Sequence, residues 1–272
     1  MVFGEILNKM LKTEKNAVNR MYLNEIVIKW KKIESKMEES DEPIPALVEA
    51  LNDFMHVLQN PKFKYDAKTN SGFKSNIELY STSYIDDMIE MLLKKRGILN
   101  KKGVFWGYTK FTTNLKFDHK SIFGEIKDLG LQLGSSPKFL QLVQNVDLQY
   151  RLSGTRKFIK HQISLPVLVF SIVRNISEDN FIRLNYHAES AKETYPDAKF
   201  LIIVETIDKG YTPDVSNSFV DALFILRKQH KTQKTHLISA EVIELLDSKI
   251  REYTDVNHRK EIDMIKAKGI LE

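Results

Sequence analysis

Leu165-Pro166-Val167-Leu168-Val169-Phe170-Ser171-Ile172-Val173 is the longest apolar run in the chain, interrupted only by Ser171. A membrane-spanning helix needs about 20 such residues, so this run is too short to cross a bilayer. A strand covered on both faces reads as a continuous apolar stretch, whereas a half-exposed strand alternates. The spacing therefore predicts a strand over Ile163–Val173, central in its sheet and covered on both sides.

The flanks support that reading. Val146 to Leu152 alternates and ends at the turn signal Ser153-Gly154, which makes it a hairpin partner. Downstream, Ile182, Tyr186, Glu189 and Glu193 mark a helix between Asp179 and Tyr195. Phe200–Val204 is a short apolar strand, and Val220–Leu226 predicts another. Val242, Leu245, Leu246 and Ile250 share one side of a helix over Ala240–Tyr253, with Ser239 as its N-cap. Upstream, Ile77 to Gly97 reads as a helix, with Lys94, Lys95 and Arg96 in its last turn, where cations suit the dipole. Val104–Thr109, rich in β-formers between glycines, predicts a strand. The order from residue 73 is helix, three strands, helix, strand, then a further strand and helix. A hairpin followed by a right-handed crossover gives an α/β fold, a mixed sheet flanked by helices.

The first sixty residues read as helix. Val18, Tyr22, Ile26, Trp30, Ile33 and Met37 form one apolar face, with Trp30 in the core and Lys29, Lys31 and Lys32 on the wet side. Ser40–Pro45 breaks this helix, and Leu47, Leu51, Phe54 and Leu58 mark a second one. The turn-rich Pro61–Gly72 suggests a boundary, giving an N-terminal helical domain over 1–65 and an α/β domain over 66–272.

Composition narrows the function. The 272 residues are 42% hydrophobic and 28% charged, enough apolar surface for a core. A net charge of +5 allows a polyanionic partner without demanding one. The chain has no cysteine, which removes disulfides, thiolate-held metals and thiol catalysis. Met1–Lys12 carries Glu5 in its apolar stretch and no small-residue cleavage site, so a soluble, cytoplasmic protein is expected, with no membrane partner. There is no Walker loop, dinucleotide fingerprint, nucleophile elbow or zincin helix, and the seven histidines are scattered.

Helix, three strands, helix, strand is the core order of PD-(D/E)xK nucleases. In such a motif an Asp on the second strand and a Glu-x-Lys on the third project from one sheet face, because strand side chains alternate. The carboxylates hold Mg²⁺, which wants oxygen ligands. Leu165 to Asn175 resembles the third strand of that class. With Phe200–Asp208 and Phe219–Gln229, which ends in Leu226-Arg227-Lys228-Gln229, it resembles the BbvCI-like heterodimeric type II restriction endonucleases over roughly residues 140–250. The resemblance implies double-stranded DNA as partner, Mg²⁺-dependent phosphodiester hydrolysis, and a homologous second subunit or a homodimer.

The chain departs from the family pattern at the catalytic slots. Ser171 stands at the Glu position and Val173 at the Lys position; Ser is a poor Mg²⁺ ligand and Val cannot donate to water. Asp147 is the candidate for the Asp position and for a metal ligand, 24 residues before Ser171. Three readings remain open. The chain is a DNA-binding subunit with a degenerate site. Alternatively it is an active Mg²⁺-dependent endonuclease with migrated acids: Asp147 with Glu189 or Glu193, and Lys157 or Lys160 replacing the lysine. Or it is a regulatory interaction protein on a nuclease fold. Candidate DNA contacts are Lys94, Lys95, Arg96, Lys101 and Lys102 at the end of a helix, and Arg151, Arg156, Lys157 and Lys160 around the hairpin. A third basic run, Arg227, Lys228, His230, Lys231 and Lys234, follows the strand ending at Leu226.

Overall fold

A computed structural model describes residues 2–40, 43–58, 60, 83–110, 112–117, 131–135, 137–151, 158–228 and 237–254. Four helices come first: α1 (Val2–Thr13), α2 (Ala17–Glu39), α3 (Pro43–Leu58) and α4 (Ser83–Lys95). Strands β1 (Val104–Thr109), β2 (Thr112–Phe117), β3 (Leu131–Ser135), β4 (Phe139–Arg151) and β5 (Phe158–Ile176) follow. Helix α5 (Glu178–Thr194) then leads to β6 (Lys199–Ile207), β7 (Ala222–Ile225) and α6 (Ala240–Thr254). The suggested boundary at 61–72 and the charged tail from Asp255 lie outside the described residues.

Five strands form one sheet in the order β1-β4-β5-β6-β7, and β2 and β3 pair as a separate two-stranded sheet. β1, β4 and β5 pair antiparallel, while β5, β6 and β7 run parallel. The run around Phe170 lies in β5 at the centre of the sheet, paired with the β4 that carries Val146–Arg151. Pro166 lacks the N–H of a central strand and needs an irregularity to be tolerated there. It has one: Leu142 faces Leu168 but Val143 faces Pro166, so Val167 is the extra residue of a bulge.

The two faces of β5 bury different cores. Leu168 and Phe170, with Leu140, Leu142, Leu201 and Ile203, pack into a cluster shared with the helices α1–α4 and α6. Val169 and Ile176, with Phe139, Phe200 and Ile202, pack under Phe181, Leu184 and Ala188 of α5. Helices α1–α3 fall within the segment 1–65, and their apolar faces run into the sheet's own core. At its centre Phe3, Trp30 and Phe54 meet edge to face, with centroids 4.8, 5.3 and 5.9 Å apart.

The helix break expected over Ser40–Pro45 is present: α2 ends at Glu39 with Ser40 as its cap, and prolines 43 and 45 then open α3. In the first turn the missing N–H has no intrahelical partner to lose, so proline fits. Asp87 of α4 does the opposite service for α1: its Oδ2 accepts from the Phe3 and Gly4 N–H groups at 3.1 Å each. These N–H groups belong to the first turn, which has no carbonyl partner of its own, and the positive end of the helix favours a carboxylate.

Candidate functional site

Ser171 and Val173 share the sheet face of Val169, the face roofed by α5. Ser171 is buried, opposite Ile202, and Val173 is half-buried, opposite Val204. These slots do not fit Mg²⁺: a hydroxyl and an isopropyl group under a helix offer no carboxylate and no open coordination position. Among the described residues, no three His, Asp or Glu side chains come together as metal ligands.

Asp147 stands opposite Gln162 in the β4–β5 pairing, nine residues along β5 from Ser171. At ~3.3 Å per residue that is roughly 30 Å. Glu189 and Glu193 lie on α5, half-buried and exposed respectively. The ring of His187, two residues before Glu189, contacts Phe139 at 5.4 Å. Asp147 lies eight residues further along β4 from Phe139, about 26 Å away at the same rise. The strand register therefore keeps Asp147 apart from both Ser171 and Glu189.

The basic candidates separate by what they already hold. Arg96 is committed inward: its Nε donates to Asp247 Oδ1 of α6 at 3.0 Å and its Nη2 to Oδ2 at 2.5 Å. Asp247 is fully buried, and Arg251 also reaches its Oδ2, at 3.3 Å. Lys94 pairs with Glu90 at 2.6 Å, and Lys95 donates to the Ser40 carbonyl at 3.4 Å. Lys101 and Lys102 are exposed in the turn that leads through Gly103 into β1. Arg151 and Lys160 lie in the β4–β5 ribbon, opposite Phe158 and Gln149. Arg156, Lys157, His230, Lys231 and Lys234 fall outside the described residues. Lys228 pairs with Glu241, and Arg227 turns into the core.

Arg227 belongs to a buried polar group at the carboxyl ends of the parallel strands. Its Nε lies 3.7 Å from Glu205 Oε2 of β6, and both residues are at most 7% exposed. Tyr84 of α4 completes the group; burial, reinforced by the Glu205 carboxylate, holds its phenol well above the usual value.

The sequence reading passed over one further feature. Asp86, beside Asp87 on α4, faces β1, where the Tyr108 hydroxyl donates to its Oδ2 at 2.8 Å. Burial raises the Asp86 carboxyl to about 7, against the lowering effect of the Tyr108 hydrogen bond and with Asp87 adding to the rise. Asp86 lines a pocket of about 380 Å³ with Glu5, Glu90, Leu99, Trp106 and Tyr108. The available signal was Ile85-Asp86-Asp87-Met88, two acids inside an apolar stretch of helix. Buried carboxylates need partners, and such a pair implies them.

The sheet order, its single switch from antiparallel to parallel pairing and the flanking helices define the architecture. A solved structure described as the native BbvCI A2B2 tetramer at low resolution superposes with a TM-score of 0.64, covering 94% of this chain and 97% of that one at 17% identity. The fold is restriction-endonuclease-like. No protein-family model and no curated protein matches the sequence. Among the described residues, no helix is long and apolar enough to cross a membrane.

Proposed function

We propose that the chain binds double-stranded DNA as one subunit of a type II restriction-endonuclease-like system and leaves phosphodiester hydrolysis to another chain. One observation supports this above the others. The two positions that the resemblance assigns to an acid and a lysine, Ser171 and Val173, lie on the central strand β5 beneath α5. BbvCI is described as an A2B2 tetramer. By analogy the partner is a related second subunit or a second copy of this chain, since symmetric assembly is the common rule. Lys101 and Lys102, exposed beside the edge strand β1, are the phosphate contacts this reading favours.

A gel shift across a salt series tests the binding. DNA affinity should fall steeply with salt, and Lys101→Ala with Lys102→Ala should reduce the slope by about 0.9 per lost phosphate contact. Absence of a salt-sensitive shift at low salt would favour an interaction protein without DNA binding. Plasmid incubated with Mg²⁺ and this chain alone should stay supercoiled. Nicking that disappears in Asp147→Ala would instead assign catalysis to this chain.

A further inference from the structure

The pocket between α1, α4 and β1 is built around a carboxyl group that its own fold leaves half satisfied. Asp86 is 4% exposed. Its Oδ2 accepts from Tyr108, while its Oδ1 is buried and has no hydrogen-bond partner. A buried acceptor left unmatched is costly, and a donor that reaches it gains more than it would in water. The surroundings state what kind of donor fits. Glu5 and Glu90 stand on the same walls, and no Lys, Arg or His lines the pocket among the described residues. With Glu90 offset by Lys94 and the N-terminal ammonium, Glu5 and Asp86 still disfavour an anion. A bare divalent ion lacks ligands, because no three metal-binding side chains meet among the described residues. The volume of about 380 Å³ suits a small molecule rather than an ion. Trp106 lines the pocket and is braced edge to face by Phe170, with centroids 5.6 Å apart, so its indole is a fixed aromatic wall. Aromatic faces attract ammonium and guanidinium groups.

We propose that this pocket binds a small organic cation, its ammonium or guanidinium group donating to Asp86 and packing against Trp106. The site is independent of the DNA-binding reading and lies on the opposite sheet face from Ser171 and Val173. The charged and titratable groups around Asp86 are Asp87 and Glu90 on α4, Tyr108 on β1 and Glu5 on α1, with Lys94 and the N-terminal ammonium both acting on Glu90. An ionised Asp86 is the better acceptor for a cation, so binding tightens as pH rises from 6 to 8.

Nα-acetyl-arginine amide is the probe, with the uncharged Nα-acetyl-citrulline amide as its control (arginine amide and citrulline amide below; acetylation removes the α-ammonium that both would otherwise carry), titrated into the full chain by calorimetry. Trp106 fluorescence is a second readout, since the only other tryptophan, Trp30, is 2% exposed. The expected result is saturable binding of arginine amide with Trp106 responding, none by citrulline amide, and at least about tenfold weaker binding in Asp86→Asn. Tyr108→Phe, which keeps the ring, should bind with an altered pH dependence. No saturation by wild type below about 10 mM, equal binding of citrulline amide, or undiminished binding by a folded Asp86→Asn each overturns the assignment. Should Asp86→Asn fail to fold, the comparison of the two amides on wild type decides.

Discussion

Arg96 offers the sharpest separation of folding from function, because sequence placed it among the DNA contacts and the structure turns it inward. Replacing it with Met keeps much of the aliphatic stem and removes both hydrogen bonds to Asp247. Charge-assisted hydrogen bonds contribute about 1.5–3 kcal/mol each. Removing one partner of a buried pair costs about 3–5 kcal/mol because the other charge is stranded. Two features moderate that here: the Arg96 side chain is 33% exposed, and Arg251 still reaches Asp247. A loss of about 2–3 kcal/mol is expected, which lowers Tm by roughly 5–10 °C in a chain of this size. Urea unfolding and a thermal melt measure it, and a salt series in the gel shift gives the DNA slope on the same protein. Arg96→Met should lose stability and, at a temperature where it is folded, keep the wild-type slope. Lys101→Ala with Lys102→Ala should do the reverse. An Arg96→Met protein with unchanged Tm and a reduced slope would refute the reasoning, since Arg96 would then serve DNA rather than Asp247.

Glu205→Ala should destabilise by about 3 kcal/mol by removing the carboxylate beside buried Arg227, while the triple replacement Glu205→Leu, Arg227→Met and Tyr84→Phe should cost clearly less, both read by urea unfolding. The raised Asp86 carboxyl gives a pH signature. Its folded pKa of about 7 lies above the unfolded value of 3.8, so the native state binds the proton more tightly. Stability should therefore fall as pH rises between these two values, and the fall should be shallower in Asp86→Asn, measured by chemical unfolding at each pH. Ser171→Glu with Val173→Lys places two charges beneath α5, so the double variant should be less stable than wild type by several kcal/mol; calorimetry with Mg²⁺ that showed binding by a folded, undestabilised double variant would contradict the covered-face geometry.

The parts of the fold that sequence revealed are those set by local pattern. Val104–Thr109 coincides with β1, and the apolar run around Phe170 is the middle of β5. Helix α5 lies within a residue of its expected limits. What escaped depended on remote partners. The strand expected from Val146 starts at Phe139, and Gln141 interrupts its apolar pattern. That side chain is nonetheless fully buried, because its amide donates to the Thr109 carbonyl of β1 at 2.7 Å. The separation of Asp147 from Ser171 follows from the pairing of two long strands through the bulge at Val167, which no spacing along the chain specifies. The role of Arg96 is fixed by Asp247, 151 residues away. A charge at a helix end looks the same in sequence whether it meets DNA or a buried carboxylate.

Those remote partners also explain why one acid in the core stands out from the rest. Four acidic residues are buried among the described residues: Asp86, Asp87, Glu205 and Asp247. Asp87 is matched to the first turn of α1, Asp247 to Arg96 and Arg251, and Glu205 to Arg227. Each of these acids has at least one partner from another segment of the chain, and so a structural reason to be there. Asp86 has a weaker one. Its Tyr108 bond joins α4 to the edge strand β1, but Tyr108 is a neutral donor, 48% exposed, and offers one proton to a group with two oxygens. A Leu at position 86 would pack the same helix without the desolvation that drives its pKa upward. A carboxyl group retained there, under-matched and lining a pocket with Trp106, is best accounted for by a donor arriving from outside the chain.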